Sequence, residues 1–139
     1  MTPQDFETAW RINTFGGFLS AQQVLPAMID AGRGVIVFIG ATASRRGAAA
    51  TAAFAAAKGG QRLMAESLAR AYGPQGVHVA LVVIDAVVGE PLMRSKLADR
   101  PDDFFCAPND IADTVLMLTR QKRSAWTFEL EVRPFAEKW

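Results

Sequence analysis

A chain of 139 residues, half of them apolar, is long enough for one domain with its own core and too short for two, so a single domain is expected over 1–139. The formal net charge of +1 gives no field to draw nucleic acid or a membrane surface, and no apolar run approaches the roughly 18 residues of a membrane span. A single cysteine, Cys106, excludes an intramolecular disulfide, and a single histidine, His78, without a cluster of other ligands gives no metal site to expect.

The chain opens MTPQDFETAW, which lacks the basic segment and apolar core of a signal peptide; a reducing, cytoplasmic location is expected. Thr2 can cap a helix, Pro3 suits its first position, and Asp5 favours the positive end of the helix dipole. Phe6, Trp10, Asn13, Phe15 and Gly17 fall near one stripe, so a long helix is expected over 3–31. Pro26 is its expected kink, and Gly16-Gly17 would let another backbone approach.

A turn, Gly32-Arg33-Gly34, leads to Val35-Ile36-Val37-Phe38-Ile39, an apolar β-branched run that reads as a buried strand. The loop Gly40-Ala41-Thr42-Ala43-Ser44 follows, then Arg45-Arg46, then an Ala-rich helix expected over 50–72 with Leu63 and Leu68 at helical spacing. Strand, loop and helix make half of a βαβ unit, whose ligands sit at the carboxyl ends of the strands. Gly73-Pro74 stops the helix. Residues 77–84 form a second apolar run, as expected of a parallel strand covered on both faces. The segment 85–108 is expected to be a loop with a short helix inside it, and Phe104-Phe105 its core packing. Asn109 is the expected cap of a third helix over 110–120, residues 126–132 alternate as a final strand, and the tail 133–139 is expected to dock on a neighbouring surface. The alternation of elements argues for a parallel sheet with helices on both faces.

Several of these segments, in order, resemble the C-terminal half of a short-chain dehydrogenase/reductase. Asn13, in WRINTFGGF, matches that family's helix asparagine. The strand VIVFIG and its loop match the segment of the catalytic serine. Phe54-Ala55-Ala56-Ala57-Lys58 overlies the Tyr-x-x-x-Lys motif. GPQGVHVALVVIDAVV is similar to the strand that runs into the Pro-Gly loop, and WTFELEV to the last strand.

The resemblance implies an α/β fold: a partial Rossmann-like three-layer sandwich with a short, mostly parallel sheet, lacking the N-terminal dinucleotide-binding half. It implies catalytic positions at Asn13, Ala41, Phe54 and Lys58, with Thr42 and Ser44 as nearby hydroxyls. It implies cofactor contacts at Lys58, Asp85, Ala86 and Val88, for NAD or NADP. The family's tyrosine moves the substrate proton, its lysine lowers the tyrosine pKa and holds the nicotinamide ribose, its serine orients the carbonyl, and its asparagine holds a water of the relay. Here the tyrosine position is Phe54 and the serine position Ala41. The Pro-Gly pair is Asp85-Ala86, and the threonine that follows is Glu90. No G-x-G-x-x-G turn for a pyrophosphate is present.

Met1 falls past the midpoint of a complete member, so a truncated gene product is expected. Such a chain would be impaired as an oxidoreductase by itself, and its cofactor is expected to be the family's NAD or NADP, or none in this chain. Two alternatives stand beside it: an NAD(P)-dependent oxidoreductase completed by a missing or partner segment, and a non-catalytic partner of a full-length member. The resemblance also implies a homodimer through the helices at 3–31 and 50–72. The strand at 35–39 would lose a neighbour and leave an apolar edge to be covered.

Overall fold

The computed structural model describes residues 1–137, so the end of the expected 133–139 tail lies outside the described residues. Helix α1, Pro3–Trp10, starts on a capping box. Thr2 Oγ1 accepts from the Asp5 amide at 3.1 Å, the Asp5 carboxylate accepts from the Thr2 amide at 2.7 Å, and Pro3 stands just inside. The helix continues past Trp10 through a π turn, Arg11–Phe15, into α2, Gly16–Asp30. The departure from α geometry therefore lies at this turn, where hydrogen bonds span one residue more. At Pro26, the expected kink, α2 runs on. Gly17 is needed for packing: a Cβ there would lie 3.2 Å from the Phe38 ring and 3.3 Å from the Met64 methyl.

Strand β1, Gly34–Ala41, is longer than the apolar run, because Gly40 and Ala41, expected in the loop, complete it. Helix α3 spans Ala52–Tyr72 and strand β2 Val77–Ile84. Leu63, one of the residues at helical spacing, is 60% exposed; the inward positions of α3 belong to Ala57, Gln61 and Ala65. In the next segment a two-residue strand β3, Val87–Val88, pairs with β4, Phe105–Cys106, and the short helix α4, Pro91–Lys96, lies between them. Phe105 is buried and Phe104 meets it edge-on, with ring centroids 5.2 Å apart, which bears out core packing under this segment. Helix α5, Pro108–Thr119, starts one residue before the expected cap. Asn109 is thus inside it, and Ala107 stands at the cap without a side-chain bond. The last strand, β5, is confined to Glu129–Val132.

The main sheet has the order β1-β2-β5, parallel throughout, with Ala41 opposite Ile84 and Ile84 opposite Val132. One face packs on α2 and α3 through Leu25, Ala65, Phe38, Leu81 and Val83. The other packs on α5 through Val82, Ile84, Ile111 and Leu118. The result is the three-layer α/β arrangement with a short parallel sheet. Every residue of β2 is buried, as a central parallel strand requires. Strand β1 has a neighbour on one side only among the described residues. Beside it runs an apolar groove of about 380 Å3, where Val24 and Ile39 are each 41% exposed. No helix among the described residues is long and apolar enough to cross a membrane.

Candidate functional site

The parallel register brings the carboxyl ends of β1 and β2 together, with the start of α3 above them. A cavity of about 240 Å3 opens there, lined by Ala41, Thr42, Thr51, Phe54, Ile84 and Ala86. A larger cavity of about 760 Å3 lies between β4, α5 and the end of β5, but it includes none of the motif positions. The position at the strand ends, where α/β sheets take their ligands, favours the smaller one.

Lys58, one turn after Phe54 on α3, reaches back to the strand. Its Nζ donates to the Ile39 carbonyl at 2.8 Å and to Gln61 Oε1 at 3.2 Å. Partial burial pushes this ammonium below the ordinary lysine value. The Phe54 ring is 41% exposed, with Lys58 Nζ 5.9 Å from its centroid. A phenyl group at this place offers no proton, and Ala41 beside it offers no hydroxyl.

The two nearby hydroxyls are both engaged. Thr42 Oγ1 donates to Asp85 Oδ1 at 2.5 Å. Ser44 is buried and turned back on its own loop, where Oγ accepts from the Ala41 amide at 3.1 Å; a Cβ on Gly40 would come within 2.9 Å of it. Asp85, only 6% exposed, also accepts from Arg46 Nη2 at 3.1 and 3.3 Å, so this buried carboxylate is both paired and hydrogen-bonded. Ala86 lines the cavity, whereas Val88 belongs to β3 and packs on the α5 side of the sheet. Glu90 caps α4, accepting from the Leu92 and Met93 amides at 3.0 and 2.9 Å.

Asn13 lies in the π turn. Its side chain donates to the Ala9 carbonyl at 2.9 Å, and its own carbonyl oxygen accepts from Gln61 Nε2 at 3.0 Å. Asn13, Gln61, Lys58 and Ile39 thus form one hydrogen-bonded chain from α1–α2 across α3 to β1. Thr14 Oγ1 ties the same turn to the Ala57 carbonyl at 2.7 Å. Gln61 carried no motif; its one sequence signal is an amide placed three residues after Lys58, on a helix whose other buried residues are Ala57 and Ala65. Beneath the site, Arg45 and Arg62 converge on Glu129 of β5 at 2.5 and 2.6 Å, and Arg45 also meets Glu131 at 2.6 Å.

Comparison with known proteins agrees with this fold. The short chain dehydrogenase family pattern matches residues 1–100. The "Inactive 2-(S)-hydroxypropyl-CoM dehydrogenase 2" of Xanthobacter autotrophicus is 30% identical over 124 residues, which is 80% of this chain and 54% of that protein. A short-chain dehydrogenase from Rhodopseudomonas palustris is 36% identical with a TM-score of 0.78, covering 96% of this chain and 54% of the other. A metagenomic short-chain oxidoreductase in complex with NADP is 28% identical, also at a TM-score of 0.78, covering 99% of this chain and 54% of the other. The chain spans about half the length of the curated relatives it matches. With the family pattern matched over most of its length and the fold in agreement, the chain belongs to the short-chain dehydrogenase/reductase family of oxidoreductases.

Proposed function

We propose that this chain is a short-chain oxidoreductase unit whose catalysis is impaired when it acts alone. Phe54 carries the reading. A positioned acid or base contributes about 10²- to 10⁴-fold in rate, and a phenyl ring at the tyrosine position supplies none of it. Ala41 supplies no replacement, Thr42 is committed to Asp85, and Ser44 faces inward. The name of the Xanthobacter relative, which describes that protein as inactive, is consistent with such a loss. The residues present fit one part of a nicotinamide dinucleotide: Lys58, with two protein acceptors for three donors, suits a ribose hydroxyl. A bound dinucleotide would supply hydride chemistry. The pyrophosphate has no Gly-rich turn in this sequence to hold it. Titration with NADH and NADPH, followed by cofactor fluorescence and by turnover, tests the reading. No saturable binding is expected, and the Phe54→Tyr, Ala41→Ser double variant should stay inactive. Micromolar binding with turnover overturns it.

A second reading rests on the open edge of β1. We propose that a further polypeptide segment could complete the sheet there and restore a working NAD(P)-dependent site. Its test is co-expression with a polypeptide that carries the Gly-rich strand–turn–helix of a full-length member; turnover by the mixture alone would favour it. A homodimer, or pairing with a full-length member, through α1–α2 and α3 is proposed on the exposure of Trp10, Ile12 and Leu63 on these helices. Light scattering should give twice the chain mass. The cytoplasm is the proposed compartment, and the buried Cys106 thiol suits its reducing conditions.

A further inference from the structure

Gln61 is 8% exposed and uses both ends of its carboxamide, giving a hydrogen bond to the Asn13 carbonyl and taking one from Lys58. A buried amide satisfied at both ends is fixed in orientation. Its position is also shielded by packing, since a Cβ on Gly17 of α2 would lie 3.7 Å from Gln61 Nε2. The Asn13 carbonyl it holds lies in the π turn, where the helical bonding pattern changes and carbonyls become open to side chains.

We infer that Gln61 is a positioning residue: it holds the Lys58 ammonium at the carboxyl end of β1 and brings no opposing charge to it. The inference rests on the reading of Lys58 as the ligand-holding lysine. A carboxylate at position 61 would form an ion pair with the ammonium and offset its field, and an apolar side chain would leave it the Ile39 carbonyl alone. A neutral amide fixes Lys58 without consuming its charge. With a phenyl ring at position 54, that charge has no phenolate to stabilise. It is available to an electron-rich oxygen of a ligand, a sugar hydroxyl or a phosphate.

Reductive methylation of the folded chain, followed by mass spectrometry, tests this directly. The rate at Lys58 is read against Lys96 and Lys122 as internal standards. Gln61→Met should raise the Lys58 rate about threefold or more, because an unheld amine is reached more easily. Gln61→Glu should lower it by a similar factor, because a carboxylate partner keeps the amine protonated. The reference lysines should not change, and circular dichroism melts establish that both variants fold. A shift of Lys58 in the same direction in both variants, or no shift relative to Lys96, overturns the positioning role. Titration of the same proteins with NADPH separates the two ideas. Opposite rate shifts without NADPH binding would keep both Gln61 as the positioning residue and the chain as impaired alone; opposite shifts with micromolar NADPH binding and turnover would keep Gln61 and overturn the impaired reading.

Discussion

Strands β1 and β2 are both eight residues long, both apolar and β-branched, and lie in parallel register with each other. Their environments differ completely. Strand β2 has a strand on each side and helices on both faces, and all of its residues are buried. Among the described residues strand β1 has β2 alone, and only Phe38 and Gly40 of it are buried. An apolar run identifies a strand, but its place in the sheet decides how much that strand stabilises. Burial of apolar surface is the source of the stability, and β1 leaves part of its own in water.

The contrast can be tested in order of effect. Leu81→Ala in the middle of β2 should cost about 2–5 kcal/mol, since that side chain is fully buried, and denaturant unfolding measures it. Ile36→Ala on β1 should cost about half as much, because Ile36 only borders the same core. Equal losses would mean that the edge of β1 is covered in solution.

Glu129 gives a smaller effect that depends on pH. Burial alone would raise its pKa, but hydrogen bonds and charge from Arg45 and Arg62 outweigh burial and hold it below the ordinary glutamate value. A carboxylate with a depressed folded pKa contributes stability above its unfolded value and loses it as pH falls through the folded one. The melting temperature should therefore fall between about pH 5 and pH 3 by a step that Glu129→Gln lacks. A step of equal size in the variant would place the acid lability elsewhere.

The smallest change expected in the monomer is at the edge itself. Ile39→Thr keeps a β-branched residue at an exposed position and should alter unfolding by no more than about 0.5 kcal/mol. If the edge drives association, the same change should reduce aggregation on concentration. Unchanged aggregation would direct attention to the exposed face of α1–α2 and α3.

Much of this arrangement was legible in the residues. Strand β2 was visible end to end because no polar residue after His78 interrupts its apolar run. The start of α1 was visible in Thr2, Pro3 and Asp5, which act through local bonds. Lys58 and Asn13 were found through the family motif, and the structure brings them into one hydrogen-bonded chain. The link between them was not legible. Gln61 acquires its role from a carbonyl 48 residues earlier, and no local pattern encodes such a contact. The same holds for Asp85, whose partners Thr42 and Arg46 lie 43 and 39 residues away. The β3–β4 pair escaped notice because two residues are too few to show alternation. Asn109 misled because a good capping residue stood beside a proline that can itself open a helix.

The free side of β1 also acts as a clock. In a parallel strand, successive amides point alternately to the two sides, so every second N–H of β1 turns away from β2. Those amides, save that of Ala41, which donates to Ser44 Oγ, should lose their protons to deuterated water in a time set by the solvent, while their neighbours and the whole of β2 wait for the fold to open. A strand of the same chain thus carries a fast and a slow set of protons in alternation. Whatever comes to lie along that side, from another copy or another polypeptide, would be recorded residue by residue as the fast set slows.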